Sequence, residues 1–144
     1  MKIRSEGEFA LAEMAMYGAN NEKLATTADV RLAMSETDPS FLIDGNLDTV
    51  ARTTADYNPQ ELGFKRFTIS LAQPTQVHKV VIENRRDCCK DQIVGSLVEV
   101  RNSVDILDSC PVIEIQQARD TYELDLTKTP CELRSGGEIV GRAI

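Results

Sequence analysis

Cys88 and Cys89 stand side by side at the end of the run Val80-Val81-Ile82-Glu83-Asn84-Arg85-Arg86-Asp87, so a guanidinium, a carboxylate and two sulfurs fall in one short stretch. If the two sulfurs bond to each other, they close a ring through a single peptide bond. Adjacent Cα atoms lie ~3.8 Å apart across a trans peptide, whereas unstrained disulfides need ~4.4 Å or more. Such a ring is strained, and strain persists where the surroundings hold it, often at a functional site. The other reading is two separate thiols on opposite faces of a continuing strand. The cysteines at 88, 89, 110 and 131 permit three pairings. Their spacing lacks the two short-spaced pairs of a zinc ribbon.

A loop with this chemistry needs a scaffold, and the hydropathy pattern predicts one. Phe67-Thr68-Ile69-Ser70-Leu71 alternates apolar and polar until Gln73-Pro74 breaks it, the period of a half-buried strand. Val77-His78-Lys79-Val80-Val81-Ile82 reads as a strand buried more completely. Residues 96–101, 112–115, 122–126 and 139–144 give further short strands, and another is expected within 24–34, where Leu24, Val30, Leu32 and Met34 partly alternate. Short strands between turn signals predict an all-β sandwich of jelly-roll type. Residues 8–18 are rich in helix formers, with Phe9, Ala12 and Met16 at helical spacing and Gly18 as a stop. A short N-terminal helix is predicted there. On this reading residues 1–18 are an extension and residues 19–144 the sandwich domain.

The stretch Asn84-Arg85-Arg86-Asp87-Cys88-Cys89, followed by Gly95 and Ser96-Leu97-Val98-Glu99-Val100, resembles the signature of the fucolectins (F-type lectins). These belong to the discoidin-like, coagulation factor 5/8 type C superfamily. Upstream, Phe41-Leu42-Ile43-Asp44-Gly45-Asn46-Leu47-Asp48-Thr49 is similar to the Asp-Gly-Asn loop of the same family, and the spacing between the two motifs matches. The resemblance spans roughly residues 9 to 144. It implies a discoidin-like jelly-roll β-sandwich of about eight mainly antiparallel strands. It also implies the pairs Cys88–Cys89 and Cys110–Cys131, and hence an oxidising compartment. The family's final strand, with its Cys-Glu-Val-like sequence, has no counterpart before Ile144. A sandwich lacking that strand presents an open edge to a homo- or hetero-oligomeric partner.

In the fucolectins a histidine and two arginines donate to sugar hydroxyls and the ring oxygen, and the joined cysteines face the sugar's methyl group. A neutral sugar has no charge to grip, so forked donors and a flat apolar contact must orient it. By resemblance Arg85 is the first arginine, Asp87 the acid that buttresses it, and Cys88 and Cys89 the apolar ring. Gln92 stands at the second arginine's position. Asn58 stands at the histidine's, in a loop over 50–63 that diverges from the family. Both amides donate, but neither carries charge. Losing a charged donor costs ~1.5–3 kcal/mol, so two such changes weaken or retune the site. Arg85 and Asp87 also read as an internal salt bridge that fixes the loop. His78, the single histidine, lies in a predicted strand and is not the sugar ligand.

The Asp44-Gly45-Asn46 loop implies calcium. Asp44, Asp48, Thr49 and the carbonyls of Phe41 and Asn46 offer several of the roughly six to eight hard oxygens that ion takes. The family's serine ligand aligns near Ala55, and its glutamate lies on the strand missing at the C-terminus. Without calcium, Asp44 caps the turn through an Asx hydrogen bond.

The 144 residues suit one domain. With 23 acidic against 16 basic residues, a net charge of −7 argues against nucleic acid. No apolar run approaches the ~18 residues of a membrane span. The N-terminus lacks the apolar core of a secretory signal, and no Asn-x-Ser/Thr sequon occurs. There is no assignable nucleophile–histidine pair, no catalytic metal spacing and no glycine-rich phosphate loop, so an enzyme is not expected. The expectation is a non-catalytic, fucose-type carbohydrate-binding module, secreted or on the cell surface, taking a glycan or glycoprotein. The alternative is a structural or protein-interaction subunit of a larger intracellular assembly that reuses a degenerate fucolectin-like fold.

Overall fold

The computed structural model describes residues 2–5, 10–31, 38–52, 65–102, 107 and 109–144. Its strands are β1 (Lys2–Ser5), β2 (Ala10–Tyr17), β3 (Thr26–Arg31), β4 (Ala51–Arg52), β5 (Lys65–Leu71) and β6 (Lys79–Asn84). They continue with β7 (Leu97–Glu99), β8 (Ile113–Ile115), β9 (Thr121–Asp125), β10 (Glu132–Ser135), β11 (Glu138–Ile139) and β12 (Gly141–Ala143). Two short 3-10 turns, Pro39–Leu42 and Lys90–Ile93, complete the regular structure of the described residues.

The strands form two six-stranded sheets, ordered β12-β8-β7-β1-β5-β3 and β11-β10-β9-β6-β2-β4. Neighbouring strands are antiparallel throughout. Phe67, Ile69, Val98, Ile113 and Ile115 from the first sheet share one apolar core with Met14, Met16, Val80, Ile82, Tyr122, Leu124 and Leu133 from the second. The fold is an all-β sandwich. Strands with the clearest period of two lie where that period places them: β5 alternates Phe67 and Ile69 inward with Ser70 outward, and β6 buries every second residue. The segments expected at 24–34, 96–101, 112–115, 122–126 and 139–144 overlap β3, β7, β8, β9, β11 and β12, with Leu32 and Met34 outside the described residues.

Two expectations are corrected. The predicted N-terminal helix is strand β2, which lies between β4 and β6 in the second sheet. Ala10 through Met16 are all buried, with the Pro39–Leu42 turn packed against β2 and its Leu42 in the same core. Helix propensity is a weak preference, and burial on both faces with hydrogen bonds on both edges outweighs it. Residues 10–17 are therefore part of the sandwich. The expectation at Phe9 lies outside the described residues. The sandwich also has more strands than the eight or so expected: twelve among the described residues.

Cys110 and Cys131 form a disulfide inside the core, tying the segment before β8 to the start of β10. Nearby, Gly141 on β12 lets the sheets approach closely. A Cβ there would lie 2.7 Å from Ile113 Cγ2, 2.9 Å from Leu133 Cδ2 and 3.1 Å from the Glu114 carbonyl oxygen. Gly141→Ala is expected to destabilise the protein by ~1–3 kcal/mol through overpacking, measured by urea unfolding with an unchanged slope.

Candidate functional site

The end of β6, the starts of β2 and β9, and β4 meet at one end of the second sheet. Leu11 pairs with Asn84, Ala10 with Arg52, and Glu83 with Thr121. Asn84, 1% exposed, organises the loops that leave these strands. Its side-chain amide donates to the carbonyls of Lys90 (3.0 Å) and Arg119 (3.1 Å), and its Oδ1 accepts from the Arg85 N–H at 2.9 Å. One buried side chain thus holds both the 85–92 and the 116–120 loops, with both amide donors and the carbonyl oxygen bonded to backbone groups. The Tyr122 hydroxyl adds to this by donating to the Gln117 carbonyl (2.7 Å) and accepting from the Arg119 N–H (2.8 Å), and burial pushes its proton affinity up.

On this base Arg85 is clamped as a fork. Its Nε and Nη2 donate to the two oxygens of Asp87 at 2.8 and 2.9 Å, and its Nη1 donates to Gln92 Oε1 at 3.1 Å. The Arg85 side chain is 6% exposed and that of Asp87 is 52% exposed. Hydrogen bonding from Arg85 holds the Asp87 carboxyl far below the usual carboxylate range. Cys88 and Cys89 are joined to each other, and both are exposed. Cys89 has φ +60°, a left-handed conformation that a non-glycine residue rarely adopts. Its carbonyl accepts from Gln92 N–H at 3.1 Å as the Lys90–Ile93 turn begins. Arg85, Asp87, Cys88, Cys89 and Gln92 are thus brought together, while Asn58 and Ala55 lie outside the described residues. His78 sits at the opposite end of β6, its N–H donating to the Tyr17 carbonyl.

Sequence reasoning missed two residues here. Asn84 was legible only as part of the motif, because its role depends on the 116–120 loop, distant along the chain. Arg52 gave no signal beyond its charge. It reaches the site because β4 pairs with β2, which puts its Nη2 3.9 Å from Asp87 Oδ2 with the side chain 39% exposed. The other cations at this end hold closer partners: Arg86 with Glu83 at 2.6 Å, Lys90 with Asp120 at 2.6 Å, and Arg119 with Glu138 at 2.9 Å.

No family model, curated protein or solved structure matches this chain. What the site can do therefore rests on its own chemistry: an exposed sulfur pair, a buried fork and a rim of donors.

The Asp44 loop is braced by hydrogen bonds of its own. Asp44 Oδ1 accepts from the Asn46 N–H and Oδ2 from the Thr49 hydroxyl, while Asn46 Oδ1 accepts from the Asp48 N–H. This is the Asx-type turn that the sequence also allows. Among the described residues no group of three or more His, Cys, Asp or Glu side chains converges on a cation position. Beneath the loop, however, lies Glu13 of β2, 6% exposed and directly across from Glu83. Both of its carboxylate oxygens are buried without a well-formed hydrogen bond, although the Gly45 N–H and the Lys23 ammonium act on it from nearby. Burial raises its pKa from 4.5 to about 7, with Asp44 and Glu83 adding to the rise. A buried carboxylate in this state is open to protonation or to a cation.

A separate cavity of about 910 Å³ lies away from this end, between β5, the 100–102 segment and the Cys110–Cys131 disulfide. Arg52, Arg85, Asp87, Cys88, Cys89 and Gln92 do not line it. No helix among the described residues is long and apolar enough to cross a membrane.

Proposed function

We propose that the protein is a non-catalytic carbohydrate-binding module of fucolectin type, with a discoidin-like jelly roll carrying a partly eroded sugar site. The observation that carries this reading is the exposed Cys88–Cys89 disulfide beside the Arg85 fork. An apolar surface open to solvent next to anchored donors suits a sugar, which has one apolar face and a ring of hydroxyls. Asp87 and Gln92 hold the Arg85 guanidinium in one orientation. Because Gln92 accepts through its oxygen, its NH2 group can donate to a ligand. The two disulfides favour an oxidising compartment, consistent with a secreted or cell-surface protein.

Calcium belongs to this proposal. The buried Glu13 carboxylate, whose oxygens lack a well-formed hydrogen bond, fits a hard cation. Glu13 and Asp44 would hold the ion, with backbone carbonyls such as those of Phe41 and Asn46 completing its oxygen shell. When bound it supplies positive charge that locks the 41–49 loop onto β2.

A second reading, as a structural or protein-interaction subunit, is favoured by one observation: the Arg85 side chain is 6% exposed and its fork is engaged by Asp87. Titrating the protein with L-fucose, galactose and mannose by protein-observed NMR separates the two. The double variant Cys88→Ser/Cys89→Ser should lose about ten-fold in affinity, through the lost apolar contact. Its thermal midpoint should stay near the parent's, because both residues are exposed. A parent protein that binds no sugar in a broad glycan panel would leave the subunit reading.

A further inference from the structure

We propose that Arg52 makes the ligand of this site an acidic sugar, one bearing a carboxylate or sulfate group. This rests on the carbohydrate-binding reading and adds the ligand's charge to it. Both Asp87 oxygens are taken by Arg85 at 2.8 and 2.9 Å, and Arg52 approaches the same carboxylate only at 3.9 Å. Two guanidiniums therefore share one carboxylate. The second is held too far away for a hydrogen bond and keeps 39% of its side chain in solvent.

The contrast with its surroundings decides the point. Arg86, Lys90 and Arg119 are each within 2.9 Å of an acid, so their charge is locally answered. Arg52 is the cation of this rim with the loosest partner among the described residues. An exposed ion pair at that separation is weak and screened by salt. An incoming carboxylate or sulfate can take the fork of Arg52 in two parallel hydrogen bonds without breaking the Arg85–Asp87 clamp. A neutral sugar leaves that fork to water.

The geometry divides the labour. The Cys88–Cys89 ring and the Arg85 loop meet the sugar body, and Arg52 reads the acidic substituent from β4.

The test compares galactose, galactose 6-sulfate and galacturonic acid as ligands of the full chain, by calorimetry or NMR titration, for the parent, Arg52→Gln and Arg85→Lys. The parent should bind the two acidic sugars about ten-fold more tightly than galactose, with the advantage shrinking as salt rises. Arg52→Gln should erase that advantage, and Arg85→Lys should weaken all three ligands. Equal binding of acidic and neutral sugars, or an acidic preference that survives Arg52→Gln, overturns the inference while the lectin reading stands. Failure of the parent to bind any of these sugars, or fucose and mannose, removes both. Arg52 is partly exposed, so matching thermal midpoints for parent and Arg52→Gln will establish that folding is intact.

Discussion

Glu13→Gln should remove most of the pH dependence of stability between about pH 4.5 and 7 and leave a protein more stable than its parent at pH 8. The Glu13 carboxyl has its proton affinity raised by burial, to a pKa of about 7 from an ordinary 4.5. Between those values the folded chain holds a proton that the unfolded chain has released. Stability therefore falls as pH rises through this window and levels off above it. At ~1.4 kcal/mol per pH unit the loss reaches about 3 kcal/mol, on the order of a third of a small domain's stability. Below pH 4.5 the carboxyl is protonated in both states and the penalty disappears. Glutamine keeps the shape and carries no charge, so only the cost of an under-bonded amide remains.

Across the strand pair, Glu83 faces Glu13, a like-charge arrangement that ordinarily weakens a sheet. Here Glu83 is answered by Arg86 and the Thr121 hydroxyl, both at 2.6 Å, so the strain falls on Glu13. Urea unfolding at pH 4.5, 6 and 8 reads the effect, and identical profiles for parent and variant would show that Glu13 is not the responsible group. Millimolar calcium at pH 8 should raise the thermal midpoint of the parent and leave that of Glu13→Gln unmoved. A calcium response in both proteins would place the ion elsewhere, and a response in neither would remove calcium from the proposal.

Arg85→Ala should abolish measurable sugar binding and cost about 2 kcal/mol of stability. The stability cost is moderate because Asp87, left behind, is half exposed and can return to water. The same change frees the Asp87 carboxyl. With Arg85 present, that carboxyl is held far below its usual range, so its contribution exists above the ordinary value and is lost as pH falls through the depressed one. In Arg85→Ala the Asp87 titration, followed by carboxyl-carbon NMR, should move up toward the ordinary range. Arg85→Lys separates the roles of the residue. Lysine keeps the charge without the fork, so a ligand that needs forked donors is lost while most of the fold's stability stays. If Arg85→Lys and Arg85→Ala both bind sugar like the parent, Arg85 serves the loop alone.

The parts of this molecule that sequence made visible are those whose pattern is local. The alternation of Phe67, Ile69 and Leu71 marks β5, and that of Val80 and Ile82 marks β6, because a period of two needs only a strand and an apolar side. The Asn84–Cys89 run marks the site because its residue types are improbable together. By the same local rules, residues 8–18 read as a helix. Residues 10–17 form a strand because β4 and β6 pair with its two edges and the side chains from Ala10 to Met16 are all buried. Short strands such as β4 and β11 carry too few residues for any period to register.

Local spacing along the chain thus determined which segments alternate and where sulfur, guanidinium and carboxylate meet. The tertiary structure decided the rest: that Glu13 lies buried opposite Glu83, that Asn84 ties together two loops, and that Arg52 arrives beside Asp87. Each depends on pairing between residues far apart in sequence. Such pairing is governed by which surfaces can bury each other and which backbone groups remain to be bonded, and no single stretch of the chain encodes either.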